Sequence, residues 1–372
     1  MLRLAVQMLL GDKLKYVTLL LALAFSTFLI TQQLGIFAGL MRRSAATLSN
    51  FNIPIWVVDP NVEHVTGPKY MKDTDLSLVR SVPGVAWAVP LYYGRLQAKF
   101  MDGSILPVEL FGLDDTTLIG SPSIMLEGNI KDLWKSHGVI VDQRGRRQTR
   151  LGETFDISDK EARVVGLCHL NQQSFFGDLV AYTTYQRAIE YSMKVRNPLA
   201  FILVQPKKGI NHLELTREIK SKTGLGAYTQ NDFFWSTIYW YCTHTGIPIA
   251  FATTVLIGIV VGMAVVGQTF YSFISENLGN LGALKAMGTS QKLLSKMLIL
   301  QACVVGFIGY GIGVGFASLF GYYALLDVHV PFHLPYQIPF IVICMVLCIC
   351  FFAAYIGIRK ISRLETAEVF RA

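Results

Sequence analysis

Long uncharged apolar runs are spread unevenly along this chain: one lies near the start, about 200 mostly polar residues follow, and three more fill the last third. The first runs from Tyr16 to Met41, and the others from Gly246 to Ser275, Met297 to Leu326 and Ile338 to Ile358. Each reaches the roughly 20 residues that a helix rising about 1.5 Å per residue needs to cross a hydrocarbon core. A core helix of a soluble protein turns one face to water and seldom stays uncharged for so long. The pattern predicts a membrane α-helical protein with four transmembrane helices in a one-plus-three arrangement. A large extracytoplasmic α/β domain is inserted between helices 1 and 2.

The expected divisions are an N-terminal segment and first helix over 1–43, the inserted domain over 44–243 and the second helix over 244–275. A cytoplasmic helix and loop follow over 276–296, then the third helix over 297–326, an outer loop over 327–337, the fourth helix over 338–358 and a cytoplasmic tail over 359–372. Within the inserted domain, short β-branched and aromatic runs alternate with turn residues. Strands are expected at Ile55–Val58, Val85–Val89, Leu96–Phe100, Val108–Gly112, Val139–Asp142, Ala162–Leu167, Leu179–Thr183 and Phe201–Val204. Apolar residues three and four apart predict helices at Asp75–Ser81, Tyr185–Lys194 and Asn211–Thr223. A segment of this length can bury its own core, as one domain or two subdomains.

Lys and Arg beside the spans give an orientation. Arg3, Lys13 and Lys15 precede the first span, Lys285, Lys292 and Lys296 separate the second and third, and Arg359, Lys360, Arg363 and Arg371 follow the fourth. Those segments, and both termini, are expected in the cytoplasm. The connection Asp327–Gln337 has no Lys or Arg and fits the outside; Arg42 and Arg43 run against the rule. The formal net charge of +8 is then mostly a topological signal and no nucleic-acid footprint. The first span is expected to be a retained anchor, because its uncharged stretch is too long for a cleaved signal core.

Six cysteines form no framework. Cys303, Cys344, Cys348 and Cys350 fall in spans, where the thiol acts as a small apolar group, while Cys168 and Cys242 could pair on the outer side. Catalytic motifs are missing: Gly282 to Gly288 is glycine-containing but has the wrong spacing for a phosphate-binding loop, and no GxSxG, HExxH or paired CxxC occurs. No catalytic residue, cofactor or metal site is therefore assigned. His329 and His333 with Asp327 form the one local group of metal-like composition, and a short polar loop is the plainer reading. The run Phe233, Phe234, Trp235, Tyr239, Trp240 and Tyr241 reads as an interfacial aromatic belt, or alternatively as a ligand platform.

Small residues four apart recur in the spans: Gly258 and Gly262 in the second, Gly309, Gly311, Gly313 and Gly315 in the third, and Ala353 and Gly357 in the fourth. Such spacing lets helix backbones approach closely, either within one chain or across a homodimer seam. Between the second and third spans, Leu278, Leu281, Leu284 and Lys285 recur at helical spacing, Gly288 can end the helix and Ser290 can cap the next. A short amphipathic helix beside the membrane needs lipid headgroups or a partner's groove for its apolar side.

The stretch Leu284-Lys285-Ala286-Met287-Gly288 and the tail Glu365 to Arg371 resemble the coupling-helix and C-terminal signatures of MacB/FtsX-type ABC transporter permeases. The Gln33-Leu34-Gly35 stretch, Val57 to Pro60 and Tyr239-Trp240 are similar to the DevC-type branch. The resemblance runs essentially end to end. It implies a homodimeric permease of the inner membrane bound to two copies of a separate cytoplasmic ATPase, which holds the ATP and Mg, so that this chain is no enzyme. It implies that Leu278, Asn280, Leu281, Leu284, Lys285, Met287 and Gly288 meet that ATPase, and that the outer domain meets a membrane-fusion adaptor leading to an outer-membrane channel. The sequence departs from the family pattern at Asn280, where Glu is usual, and at Thr366, where Pro is usual. Two functions follow: export of a hydrophobic or amphipathic, lipid- or glycolipid-like molecule, or an FtsX-like relay that regulates a periplasmic enzyme without moving cargo.

Overall fold

A computed structural model describes residues 13–145, 147–192, 198–326 and 330–362. The chain divides into two compact units, Met1–Gly39 with Gly246–Ala372, and Leu40–Thr245. In chain order the elements are α1 (Lys13–Ser44), α2 (Ala46–Phe51), β1 (Ile55–Val58), α3 (Asp73–Arg80), β2 (Val85–Phe100), β3 (Ile105–Leu113) and β4 (Met125–Gly128). After one 3-10 turn (Ile130–Trp134) come β5 (Gly138–Asp142), β6 (Thr154–Ile157), β7 (Lys160–Cys168), β8 (Leu179–Thr184), α4 (Tyr185–Tyr191) and β9 (Phe201–Pro206). Then follow α5 (His212–Thr223), β10 (Gly226–Thr229), α6 (Gln230–His244), α7 (Ile247–Glu276), α8 (Leu278–Ala286), α9 (Gln291–Leu326) and α10 (Gln337–Ser362).

Four of these helices are long and apolar enough to cross a membrane: Tyr16–Ser44, Ile247–Glu276, Gln291–Leu325 and Gln337–Lys360. The mixed α/β domain lies between the first and second, so the chain has the architecture its hydrophobic pattern predicts. Leu23, Ile30, Val266, Phe270, Val305, Val346 and Ile349 form the packed centre of the helical unit. Its outward faces are also apolar: Leu256, Phe307, Phe316, Phe340 and Tyr355 are all exposed. A helix that is apolar all round belongs in lipid, where those faces cost nothing.

The inserted domain is organised by β2, whose 16 residues change partner midway. Val85 to Leu91 pair antiparallel with β9, whereas Tyr92 to Lys99 pair antiparallel with β3. Two expected strands thus merge into one. Pro90 is tolerated because this half of β2 has only β9 beside it, so one edge needs no donor. Before the switch lies the sheet β10-β1-β9-β2, and after it β2-β3-β8-β5-β7-β4. The strand β6 pairs with both β2 and β7, which closes β2-β3-β8-β5-β7-β6 into a six-stranded ring. Phe100, Leu110, Val141, Phe155, Val164 and Ala181 cluster as its core. The open sheet is covered by α3 and α5 through Val79, Leu215 and Ile219 against Val57, Ile202 and Val204. Trp56, Phe111, Tyr182, Phe201 and Phe233 make a third core under α2 and α6.

Cys168 and Cys242 are not joined. The first is buried in β7, and the Sγ of the second lies 3.8 Å from Sδ of Met41. The helix expected over Tyr185–Lys194 ends at Tyr191, and its last two residues lie outside the described residues.

Candidate functional site

The short helix α8 hangs between two spanning helices. Its exit is a full Schellman closure: the N–H of Thr289 donates to the carbonyl of Leu284 at 3.1 Å, that of Gly288 to Lys285 at 3.1 Å, and Gly288 sits at φ +91°. That left-handed turn is why glycine stands at this position. The carbonyl of Ser290 then accepts from Leu293 and Leu294 to start α9. The leucines do not all face outward as the amphipathic reading implies: Leu278 and Leu284 are half-buried and pack on the core of the helical unit. The bare side carries Gly279, Ala283, Ala286 and Met287, spaced along one helical face, with Met287 75% exposed. Lys285 is half-buried, and Asn280 and Leu281 fall within α8.

The glycines of the spans fall into two groups. A Cβ at Gly313 would lie 2.5 Å from Cβ of Thr27 and 2.6 Å from the carbonyl oxygen of Ala24, and one at Gly309 would lie 2.8 Å from Cβ of Leu23. On α7, Gly262 meets Ser26 at 2.8 Å and Gly258 meets Ile30 at 3.5 Å. All four therefore face α1, which is seated between α7 and α9. Close backbone approach of this kind needs residues without a side chain. The positions Gly311 and Gly315 instead have nothing within 4 Å among the described residues, so the close contact expected there is not made by any of these. On α10, Gly357 lets Ile274 approach to 2.1 Å of where a Cβ would stand.

In the inserted domain the aromatic run forms the helix α6. Phe233, Thr237 and Tyr241 form the buried face of α6, and Trp235 and Tyr239 are exposed. Trp240 stacks with two imidazoles, His64 at 3.8 Å and His244 at 5.3 Å between centroids, and its Nε1 donates to Glu63 at 2.7 Å. Burial, first, pushes His64 below its ordinary value. No group of three or more potential ligands holds a metal-like arrangement among the described residues, and His329 with Asp327 lies outside them.

A second polar cluster was invisible in the sequence. Glu109 of β3 is 4% exposed and accepts from Ser174 Oγ at 2.7 Å. Beside it Arg95 Nε donates to the buried Asp178 at 2.5 Å, and the guanidinium lies 4.2 Å over the Phe176 ring. These contacts fasten the connection between β7 and β8. The same connection is held at Asn50, which exchanges two hydrogen bonds with the Gln172 backbone, and at Phe175, 4.7 Å from the Tyr241 ring. Burial raises the Glu109 carboxyl to about 7.

Comparison with known proteins adds to this geometry. A family model described as the MacB-like periplasmic core domain matches residues 17–222, and one described as the FtsX-like permease C-terminal matches residues 252–366. The macrolide export ATP-binding/permease protein MacB of Rhodopseudomonas palustris (strain HaA2) is 25% identical over 265 residues, covering 67% of this chain and 39% of that protein. The chain thus spans about two fifths of the length of this curated relative. Among solved structures, the periplasmic region of MacB from Actinobacillus actinomycetemcomitans is similar at 14% identity, covering 49% of this chain and 91% of that one, with a TM-score of 0.37. The extracellular domain of the noncanonic ABC-type transporter YknZ from Gram-positive bacteria is similar at 13% identity, covering 48% and 98%, with a TM-score of 0.34.

Proposed function

Because this chain belongs to the MacB/FtsX-type family of ABC transporter permeases, we propose that it is the non-catalytic, homodimeric membrane subunit of an exporter driven by two copies of a separate cytoplasmic ATPase. ATP and Mg bind to that partner. The cargo is a hydrophobic or amphipathic molecule, since no charged residue interrupts Tyr16–Met41, Gly246–Ser275, Met297–Leu326 or Ile338–Ile358 to mark a polar path. A periplasmic adaptor meets the inserted domain, and the assembly sits in the inner membrane.

The observation that carries this reading is α8. A helix of nine residues with one side packed on the spans and the other stripped to Gly279, Ala283, Ala286 and Met287 is shaped to enter a partner's groove. Motion imposed there passes directly into α7 and α9, which flank it, and α1 is seated against both. The drive requires two states whose relative population ATP binding changes.

Ala283→Asp and Met287→Asp test the assignment, because a carboxylate on a docking face is poorly solvated once buried. Each variant is expected to lower stimulation of the partner ATPase at least several-fold, while the permease alone elutes and melts as wild type. Co-purification and full stimulation in both would remove α8 from the interface. Leu284 is a poorer probe because it is packed inward.

Orientation is tested with single cysteines on a background lacking the six native ones. A cysteine at Ser136, exposed in the inserted domain, is expected to react with an impermeant thiol reagent applied to spheroplasts, and one at Ser290 only after lysis. The reverse pattern would put α8 on the outside, beyond reach of any cytoplasmic ATPase.

A further inference from the structure

Near the C-terminal ends of α7 and α10 lies a groove of about 480 Å3, lined by Gly267, Gln268, Tyr271, Ser272, Ser275 and Ile356. Gly267 opens it: a Cβ there would lie 3.3 Å from Ile356. Lys360, on the last turns of α10, is half-buried and reaches back toward it. Its Nζ stands 3.6 Å from the centroid of the Tyr271 ring and donates to Ser275 Oγ. A lysine at the end of a span normally extends its stem to put the ammonium in water or among headgroups. Here the ammonium is folded over a ring, and no carboxylate forms an ion pair with it among the described residues. The nearest acidic group of the groove, Glu276, accepts from Ser272 Oγ at 3.4 Å.

We propose that this groove binds the phosphate of an anionic phospholipid. The ammonium supplies the charge and the exposed Gln268 amide a second donor, which suit the non-ester oxygens of a phosphodiester, while Ser275, whose own hydroxyl donates to the Tyr271 carbonyl, accepts from the ammonium and orients it. A free phosphate would find only the polar end useful. The groove lies along a membrane-spanning helix and takes in the apolar Ile356, and the two helices that form it expose further apolar side chains, Val265, Phe352 and Tyr355, which suit a glycerol backbone and acyl chain. Basic pockets between transmembrane helices hold anionic headgroups in this manner. A lipid wedged between α7 and α10 would bear on the same α7 that leads into α8.

Native mass spectrometry of the full chain in detergent tests the site, with dioleoylphosphatidylglycerol, dioleoylphosphatidylcholine or inorganic phosphate added. The glycerol lipid is expected to be retained over the choline lipid, and Lys360→Gln to weaken that retention by about tenfold. Lys360→Arg keeps the charge and is expected to retain the lipid, which separates loss of binding from loss of fold. Arg359→Gln, an exposed neighbour, is expected to leave retention unchanged. Equal retention of both lipids, unaltered retention by Lys360→Gln, or displacement of the lipid by millimolar inorganic phosphate would each overturn the assignment. None of these outcomes bears on the ATPase interface, so the transport reading stands or falls separately.

Discussion

Gly313→Leu is expected to force α9 away from α1 and to lower the stability of the helical unit by about 3 kcal/mol or more, at the upper end of what overpacking costs. The added side chain would start 2.5 Å from Cβ of Thr27 and 2.6 Å from a backbone carbonyl, and neither is the free end of a flexible group. Within lipid, close packing rather than hydrophobicity holds helices together, so no compensating burial is gained. Even Gly313→Ala meets the same two atoms and is expected to lose part of this amount. Gly311→Leu and Gly315→Leu are the controls, since both positions face open space among the described residues. The measurement is the temperature at which monodisperse elution in detergent is lost. Gly313→Leu should fall well below wild type, with the two controls at the wild-type value. If the controls change only oligomeric state, their face is the seam between copies. If they melt early and Gly313→Leu does not, α9 is rotated about its axis relative to the contacts described here.

Spacing alone revealed that these glycines matter but not which of them touch. The pairs Gly309/Gly313 and Gly311/Gly315 are equivalent as sequence, and only the position of α1 distinguishes them. The same limit applies to α8. Its leucine period announces an amphipathic helix, but which face turns inward depends on the helices it hangs from, and the exposed face turned out to carry Gly279, Ala283, Ala286 and Met287. Spans were legible because length and lack of charge are cumulative signals. The strands β1, β3, β5, β7, β8 and β9 were legible from β-branched runs, whereas β4, β6 and β10, no shorter than β1, lack such a run: they read Met-Leu-Glu-Gly, Thr-Phe-Asp-Ile and Gly-Ala-Tyr-Thr. The unity of β2 was hidden by Pro90 and Gly94, which read as breaks but mark the region where the strand exchanges one neighbour for another. The aromatic run before the second span was read for its chemistry and not for its period of four, which is that of α6. Nothing local marked Glu109, because whether an acid in a strand is buried depends on strands far away in sequence.

That burial leads to an expected stabilisation: Glu109→Gln should make the inserted domain more stable than wild type at pH 8, by roughly 3–4 kcal/mol. The carboxyl is almost fully enclosed, and burial lifts it to about 7, with Asp178 acting in the same direction and Ser174 and Arg95 opposing. In the unfolded chain a glutamate titrates near 4.3. Between those two values the folded domain keeps a proton that the unfolded chain has released, so stability falls as pH rises through the interval and levels off above about 7. Glutamine keeps a carbonyl oxygen to accept from Ser174 and never ionises, so it escapes that fall. The two proteins should therefore melt together near pH 4 and separate progressively up to pH 8, the variant being the more stable. Tryptophan fluorescence reports on the right unit, since all five tryptophans, Trp56, Trp87, Trp134, Trp235 and Trp240, lie between Leu40 and Thr245. A variant less stable than wild type by the same amount at every pH would show that Glu109 is ionised in place, held by Ser174 and the Arg95 guanidinium. Glu109 would then be a second charged carboxylate in the network that fastens the β7–β8 connection, beside the Arg95–Asp178 ion pair.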